Sequence, residues 1–283
     1  MNAATRSALE LSMTDAEYAA FGKVIEHHLG IRLPPEKRLL VERRMQSVVA
    51  RSGCESYRAW AATHLDRPTQ RLWSDLADAL TTNHTFFWRE PGHFEHLRDV
   101  SLPERLAARR QERDLRVWCA ASATGEEPYQ LAMILRDGVP ADWRAGLLAT
   151  DVSAKALDQA RRGTYPADHL AALPEEWRRK YVQFDRTGAG TMSAPLKGDV
   201  TFRRLNLIRD TWPFRTQFDI VFCRNVLIYF DPPVRDRVVT GIVDLIAPGG
   251  YLYVGHAESL PAGKWPLTSV APSVWRRGPG RAA

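Results

Sequence analysis

At 283 residues, with 45% hydrophobic and 10% aromatic content, the chain can build one large or two modest cores, which excludes general disorder. Its apolar runs, such as VLIYF at Val226–Phe230, fall far short of the roughly 20 residues a membrane helix needs, and no charged-then-apolar leader opens the sequence, so an unexported, cytoplasmic protein is expected. The net charge of +6 must concentrate somewhere; Cys119 and Cys223 sit in apolar patterns as reduced core thiols, and the eight histidines show no metal-ligand spacing with the cysteines, so no metal is expected.

Up to about Thr82 the sequence reads as helices at Asp15–Leu29, Pro35–Arg51, Ser56–His64 and Gln70–Leu80, with Gly30 and Gly53 placed to end the first two. Val41, Met45 and Val48 give the second helix an apolar stripe. Beside it Lys37, Arg44 and Arg51 recur every seven residues, with Arg38 and Arg43 adding charge. Such a row is either a solvated face or a positive surface for an acidic partner. The expected division is a helical domain, 1–82, followed by an α/β domain, 83–283.

From about Leu115 strand and helix patterns alternate, which argues for a doubly wound, Rossmann-like sheet. Val117–Tyr129, VWCAASATGEEPY, reads as a buried strand entering a small-residue turn and then a helix, with Gly125 supplying backbone freedom and Pro128 suited to a first helical turn. Small side chains at such a turn let a nucleotide-like ligand approach the backbone. Glu126 and Glu127 stand at the helix entry, where a pyrophosphate would meet competing anions. A ligand with a positive centre fits better, and S-adenosylmethionine carries both a sulfonium and an ammonium group.

Gly146–Asp151, GLLATD, predicts a second strand ending in an acid, 25 residues after Glu126 and close to the spacing at which an acid bonds a ribose hydroxyl; Asp151 could equally cap the helix behind it. Ser153 caps a helix running through Arg162, with Gly163 as its stop. Tyr181–Phe184 and Val200–Arg204 alternate as strands, and the loop-like Thr187–Lys197 between them suggests a small antiparallel excursion over about 181–205. Phe218–Val226 is a third apolar run whose end carries Arg224 and Asn225, the strand end where open α/β sheets bind ligands. Asp231, Pro232 and Pro233 open a helix with Val234, Val238, Ile242 and Leu245 at helical spacing; Pro248–Gly250 ends it before a strand at Tyr251–Gly255. Met1–Ser12 and Arg276–Ala283 read as frayed ends.

Five segments, TTNHTFFWRE (Thr81–Glu90), AASATGEEPY (Ala120–Tyr129), ATDVS (Ala149–Ser153), FCRNVLIYFD (Phe222–Asp231) and GGYLYVGHAES (Gly249–Ser259), share one order and spacing. From about Thr14 to about Val274 the chain thereby resembles the CheR-type chemotaxis receptor methyltransferases, which methylate glutamate side chains of bacterial chemoreceptors with S-adenosylmethionine. His84 and Trp88 depart from the residues common in the family, while the frame of Asn83, Thr85 and Arg89 is intact.

The resemblance implies a Rossmann-like methyltransferase sheet with a small inserted antiparallel β-subdomain, preceded by a small all-α domain. It implies S-adenosylmethionine as cofactor, leaving as S-adenosylhomocysteine. The implied partners are cytoplasmic glutamate-rich chemoreceptor helices, met by Lys37, Arg38, Arg43, Arg44 and Arg51, and the enzyme is a monomer that reaches the membrane only through the receptor. Some members grip a receptor C-terminal peptide with the β-subdomain; Gly188 and Gly190 resemble that loop, though glycines in a surface hairpin need no partner.

The implied cofactor contacts are Asn83, Thr85 and Arg89, either Glu126 or Glu127 at the cationic amino-acid end, Asp151 at the ribose, Asn206 and Leu207 at the adenine, and Arg224 with Asn225. A glutamate acceptor, with a reference pKa of about 4.3, is already ionised at neutral pH, so no general base is required. Arg89, after Phe86-Phe87, is the candidate to steady the acceptor carboxylate through a planar pair of donors. The resemblance puts Tyr229 near the transferring methyl, whereas its place in VLIYF alone reads as a core aromatic. No stripe of aromatics interleaved with basic residues points to nucleic acid. Methylation of another substrate and a non-catalytic adaptor are the competing readings.

Overall fold

Glu17 N donates to the Thr14 hydroxyl at 3.3 Å while Glu17 Oε2 accepts from Thr14 N at 2.8 Å, and this capping box opens α1 (Asp15–Leu29). The structure is a computed structural model that describes residues 12–65 and 68–279. Pro35–Lys37 forms only a tight 3-10 turn before α2 (Arg38–Ser52), so the helix predicted from Pro35 begins three residues later; α3 (Tyr57–His64) and α4 (Gln70–Leu80) follow. These helices, with Tyr229–Asp231, form one compact unit. Its core holds Phe21, Ile25, Met45, Trp60 and Leu76, and Phe21 meets Tyr57 and Trp60 edge-on at 5.5 and 6.3 Å.

The second unit comprises Asn83–Ile228 and the chain from Pro232 on. It opens with α5 (Pro91–His96), which continues through a π-helical stretch, Leu97–Ser101, into α6 (Leu102–Ala108). Then β1 (Asp114–Cys119), α7 (Glu126–Gly138), β2 (Arg144–Asp151) and α8 (Ala154–Arg162) alternate. An irregular stretch carries β3 (Thr164–Tyr165), α9 (Ala167–Leu170), α10 (Glu175–Tyr181), β4 (Val182–Phe184), β5 (Gly190–Met192) and α11 (Ala194–Gly198). Alternation resumes with β6 (Val200–Arg204), β7 (Phe218–Cys223), α12 (Pro232–Leu245) and β8 (Ile246–Val254), and β9 (Leu267–Ala271) and β10 (Val274–Arg277) end it.

One seven-stranded sheet runs β6-β2-β1-β7-β8-β10-β9. Strands β6 to β8 along this order are parallel, and β10 and β9 are antiparallel additions at the edge. All six residues of β7 are buried, as a central parallel strand covered on both faces requires. Its one charged member, Asp219, takes the Arg105 guanidinium at 2.6 Å and Arg116 N at 3.0 Å. From β1 the chain moves outward to β2 and β6, then returns to build β7 and β8 on the other side. The strand order therefore reverses between β1 and β7, and their carboxyl ends flank the crevice where doubly wound sheets bind ligands.

Strands β3, β5 and β4 form a separate antiparallel sheet, so the inserted excursion exists but occupies 164–192 rather than 181–205. Val200–Arg204 pairs in parallel with β2, from Leu147 opposite Val200 to Asp151 opposite Arg204, and so belongs to the main sheet. The run Thr187–Lys197, expected as loop, contains β5 and most of α11. At the chain ends, 1–11 and 280–283 lie outside the described residues, but Arg276 and Arg277 are not frayed: they pair within β10. Among the described residues no helix is long and apolar enough to cross a membrane.

Candidate active site

The turn after β1 is stitched across the sheet: Ala120 N donates to the Phe222 carbonyl at 2.7 Å, and Ser122 N to that of Thr150 at 2.9 Å. Gly125 has φ 102°, and a Cβ there would lie 2.7 Å from the Tyr165 hydroxyl and 2.8 Å from Ala160 Cβ, so both conformation and space demand glycine. At the tip of β2, Asp151 accepts from Ala123 N and Ser153 N, each at 2.9 Å, which locks the turn to the neighbouring strand end. Ser153 in turn caps α8 by accepting from Ala156 N at 3.0 Å.

The adjacent acids at the start of α7 go to different places. Glu126 is buried, 2% exposed, and accepts from the Thr124 hydroxyl at 2.6 Å; burial pushes its carboxyl above the ordinary range despite that bond. Glu127 faces the tips of β1 and β7, where it accepts from Arg224 Nη1 at 2.5 Å and from the Cys119 thiol at 3.1 Å. Of the two acids, Glu127 is the one directed at the tips of β1 and β7, whereas Glu126 turns to Thr124.

Arg224 is the hub of that crevice. Its side chain is 1% exposed, lies over the Phe94 ring at 5.2 Å, and donates to Glu127, to the Arg89 carbonyl and to Glu90 Oε2 at 3.1 Å. Asn225 donates from Nδ2 to Glu90 Oε1 at 3.2 Å. Burial raises the Glu90 carboxyl, but Arg224 and Asn225 outweigh it and hold the group below its ordinary pKa. Two carboxylates therefore surround one guanidinium, a cluster with an excess of negative charge.

The loop carrying Arg224 and Asn225 is fixed from behind by Glu258, a buried residue beyond β8. Its carboxylate accepts from Leu227 N and Gly255 N at 2.6 Å, Asn225 N at 2.7 Å and Ile228 N at 3.3 Å. Asn225 has φ 58°, a left-handed conformation that this set of amide bonds sustains. Trp88 and Glu90 are also left-handed, at φ 65° and 57°, on either side of Arg89.

The other expected residues separate. Asn83 and Thr85 lie half-buried on the extended segment entering this unit. Arg89 donates to the His84 carbonyl at 2.8 Å and lies over the Phe86 ring. Asn206 turns its side-chain oxygen to Ile208 N at 3.2 Å, so that oxygen serves its own turn, and Leu207 lines a cavity with Trp212 and Arg237. Tyr229 takes no part in the Arg224 network; it is grouped with the helical unit, where its carbonyl accepts from Arg32 N and Lys37 Nζ sits 5.6 Å over its ring. Within the basic row, Arg38 pairs with Asp15 and Glu42, and Arg44 caps α4 through the Leu80 carbonyl at 2.9 Å, while Lys37, Arg43 and Arg51 are exposed. Arg38 and Arg44 thus make side-chain contacts within the helical unit itself.

Glu90 and Glu258 are central to this geometry, yet the sequence reading passed over both. Each lies inside a quoted segment, but its partners come from distant parts of the chain.

Comparison with known proteins gives a consistent result. The family described as "CheR methyltransferase, SAM binding domain" matches residues 83–273, and "CheR methyltransferase, all-alpha domain" matches 16–81. The chain is similar to the chemotaxis protein methyltransferase of Borreliella burgdorferi, 31% identical over 95% of this chain and 96% of that one. It is 36% identical to a probable chemotaxis protein methyltransferase of Rhizobium etli (81% and 87% covered) and 36% identical to the chemotaxis protein methyltransferase of Vibrio parahaemolyticus (88% and 91% covered).

Proposed function

The chain belongs to the CheR methyltransferase family, and from that premise we propose that the crevice at the tips of β1, β2 and β7 serves methyl transfer from S-adenosylmethionine to chemoreceptor glutamates, giving methyl esters. The observation that carries this reading is the charge of the crevice: Glu90 and Glu127 outnumber Arg224 at a strand-to-helix turn. An anionic pyrophosphate is repelled there, and a ligand with an ammonium and a sulfonium is not.

When bound, the cofactor supplies a methyl group already activated on sulfur; a glutamate oxygen forms the new bond as the carbon–sulfur bond breaks, and the electron pair leaves with S-adenosylhomocysteine. The protein is left to align donor and acceptor and to exclude water. Glu127, through its pairing with Arg224, is assigned to the cationic amino-acid end, and Asp151, at the tip of β2, to the ribose hydroxyls. Asn83, Thr85 and Arg224–Asn225 complete the cradle, and Leu207 offers an apolar face to the base. Arg89 keeps guanidinium donors beyond its bond to His84 for the acceptor carboxylate.

The exposed cations Lys37, Arg43 and Arg51 are assigned to glutamate-rich receptor helices in the cytoplasm. Transfer of labelled methyl from S-adenosylmethionine to receptor-rich membranes tests the proposal. Base-labile label on protein is the expected result; label on nucleic acid, or none, would overturn it.

A further inference from the structure

We propose that Glu90, His93 and His256 form a binding site for a divalent transition metal, Zn²⁺ foremost, at the edge of the cofactor crevice. This goes beyond methyl transfer, which needs no metal. Each of the three side chains offers one ligand atom, and these atoms all lie within 4.8 Å of one another. His93 Nδ1 is 3.4 Å from Glu90 Oε2. Two ligands at about 2.0–2.1 Å from a tetrahedral ion stand roughly 3.3–3.4 Å apart, so this pair is spaced for one ion.

His93 is the second, independent observation. It is 1% exposed, and neither ring nitrogen has a partner in hydrogen-bond geometry. A buried imidazole left in that state is costly, and a ligated ion removes the cost. The Pro272 carbonyl stands beside the ring, as a backbone acceptor commonly does behind a ligating histidine. His256 is exposed and gives the ion a way in, with its ring centroid 4.7 Å from that of His93. Two imidazoles and one carboxylate suit Zn²⁺ or Co²⁺ over Mg²⁺ or Ca²⁺. The histidine–cysteine spacings gave no sign of the set, because its members come from the start of α5 and the turn after β8.

Arg224 is the group that opposes an ion here, since it shares Glu90 Oε2 at 3.1 Å; Glu127, 2.5 Å from the same guanidinium, offsets its charge. An ion on Glu90 competes with Arg224, so metal and S-adenosylmethionine weaken each other's binding by the same factor.

Co²⁺ titration of the full chain tests the site without cofactor. The expected result is the absorption of a tetrahedral ion, saturating at one per chain and abolished by Zn²⁺, with affinity reduced about tenfold or more in His256→Ala, which alters an exposed side chain. Undiminished tetrahedral binding in His256→Ala, or none in the wild type, overturns the proposal. Saturating Zn²⁺ is further expected to weaken S-adenosylmethionine binding to the wild type several-fold; unaltered affinity would sink the shared role of Glu90. A chain that takes up the ion but no cofactor would instead count against the methyl-transfer reading, so the two failures are distinguishable.

Discussion

A Cβ built on Gly255 would lie 2.3 Å from Asn225 Nδ2 and 3.0 Å from Asn225 N, so the end of β8 and the loop after β7 touch where only a hydrogen atom fits. Gly255→Ala is expected to push Asn225 off Glu90 and to lower S-adenosylmethionine affinity about tenfold or more, within the roughly 1–3 kcal/mol typical of overpacking. Calorimetric affinity equal to wild type would mean that Asn225 contributes nothing to the cofactor site.

Asp151→Ala is expected to abolish cofactor binding. It removes the proposed ribose partner and frees Ala123 N, while α8 keeps its cap because Ser153 Oγ still accepts from Ala156 N. Circular dichroism should therefore report a folded chain whose calorimetric titration with S-adenosylmethionine is flat. A normal titration would remove Asp151 from the site.

The two acids at the start of α7 give opposite outcomes. Glu127→Gln breaks a part-buried pair with Arg224 and should weaken cofactor binding by about 10- to 100-fold, or roughly 1.4–2.8 kcal/mol. Glu126→Gln keeps an acceptor for the Thr124 hydroxyl and should leave affinity within about threefold. Because burial raises the Glu126 pKa, its contribution to stability is present below the ordinary carboxyl range and is lost as pH rises through the folded value. Urea titrations should then find the Gln variant at least as stable as wild type at pH 7, and a marked loss would contradict the assignment.

His93 has the reverse dependence on pH. Its folded pKa is depressed from 6.5 to about 4, so the unfolded chain binds the proton first on acidification. Stability is complete above 6.5 and falls by about 1.4 kcal/mol per pH unit down to about 4. Denaturant midpoints followed across that window in wild type and His93→Asn should diverge as pH rises, and parallel curves would refute the shift.

If Lys37, Arg43 and Arg51 meet an acidic helix, charge reversal at Arg43 and Arg51 should raise KM for receptor and leave cofactor affinity unchanged. Raising salt above physiological strength, where screening already acts within about 8 Å, should shrink the difference between variant and wild type. Receptor methylation kinetics at two ionic strengths measure this, and a gap that salt leaves intact would exclude the surface. The corresponding changes at Arg38 and Arg44 should instead lower stability, since those guanidinium groups serve Glu42 and the end of α4.

What could be read from the sequence was what local chemistry determines. The bounds of α1 and α4 agree with the expected ones, Gly30 ends α1, and Ser153 and Gly163 bracket α8 as expected. Pairing is a non-local property, and there the reading failed. The alternation in Val200–Arg204 suits an antiparallel insert as well as a parallel edge, and only its register with β2 decides. Arg276 and Arg277 read as tail because their Gly-, Pro- and Arg-rich surroundings hid the pairing with β8 and β9. That Arg224, Asn225 and Asp151 stand at strand ends, and an acid at the start of α7, was legible in the sequence. Glu258 was not, since its meaning depends on a loop 30 residues earlier folding back upon it.

The assignment of Tyr229–Asp231 to the helical unit makes the boundary between the units discontinuous. No single cut recovers both pieces intact: a fragment beginning at Asn83 carries away three residues of the other body, and one ending at Thr82 lacks them. Arg32 N and the Lys37 ammonium would each lose a neighbour by such surgery. Swapping the amino-terminal helices between relatives would therefore also require grafting the tripeptide Tyr229–Asp231.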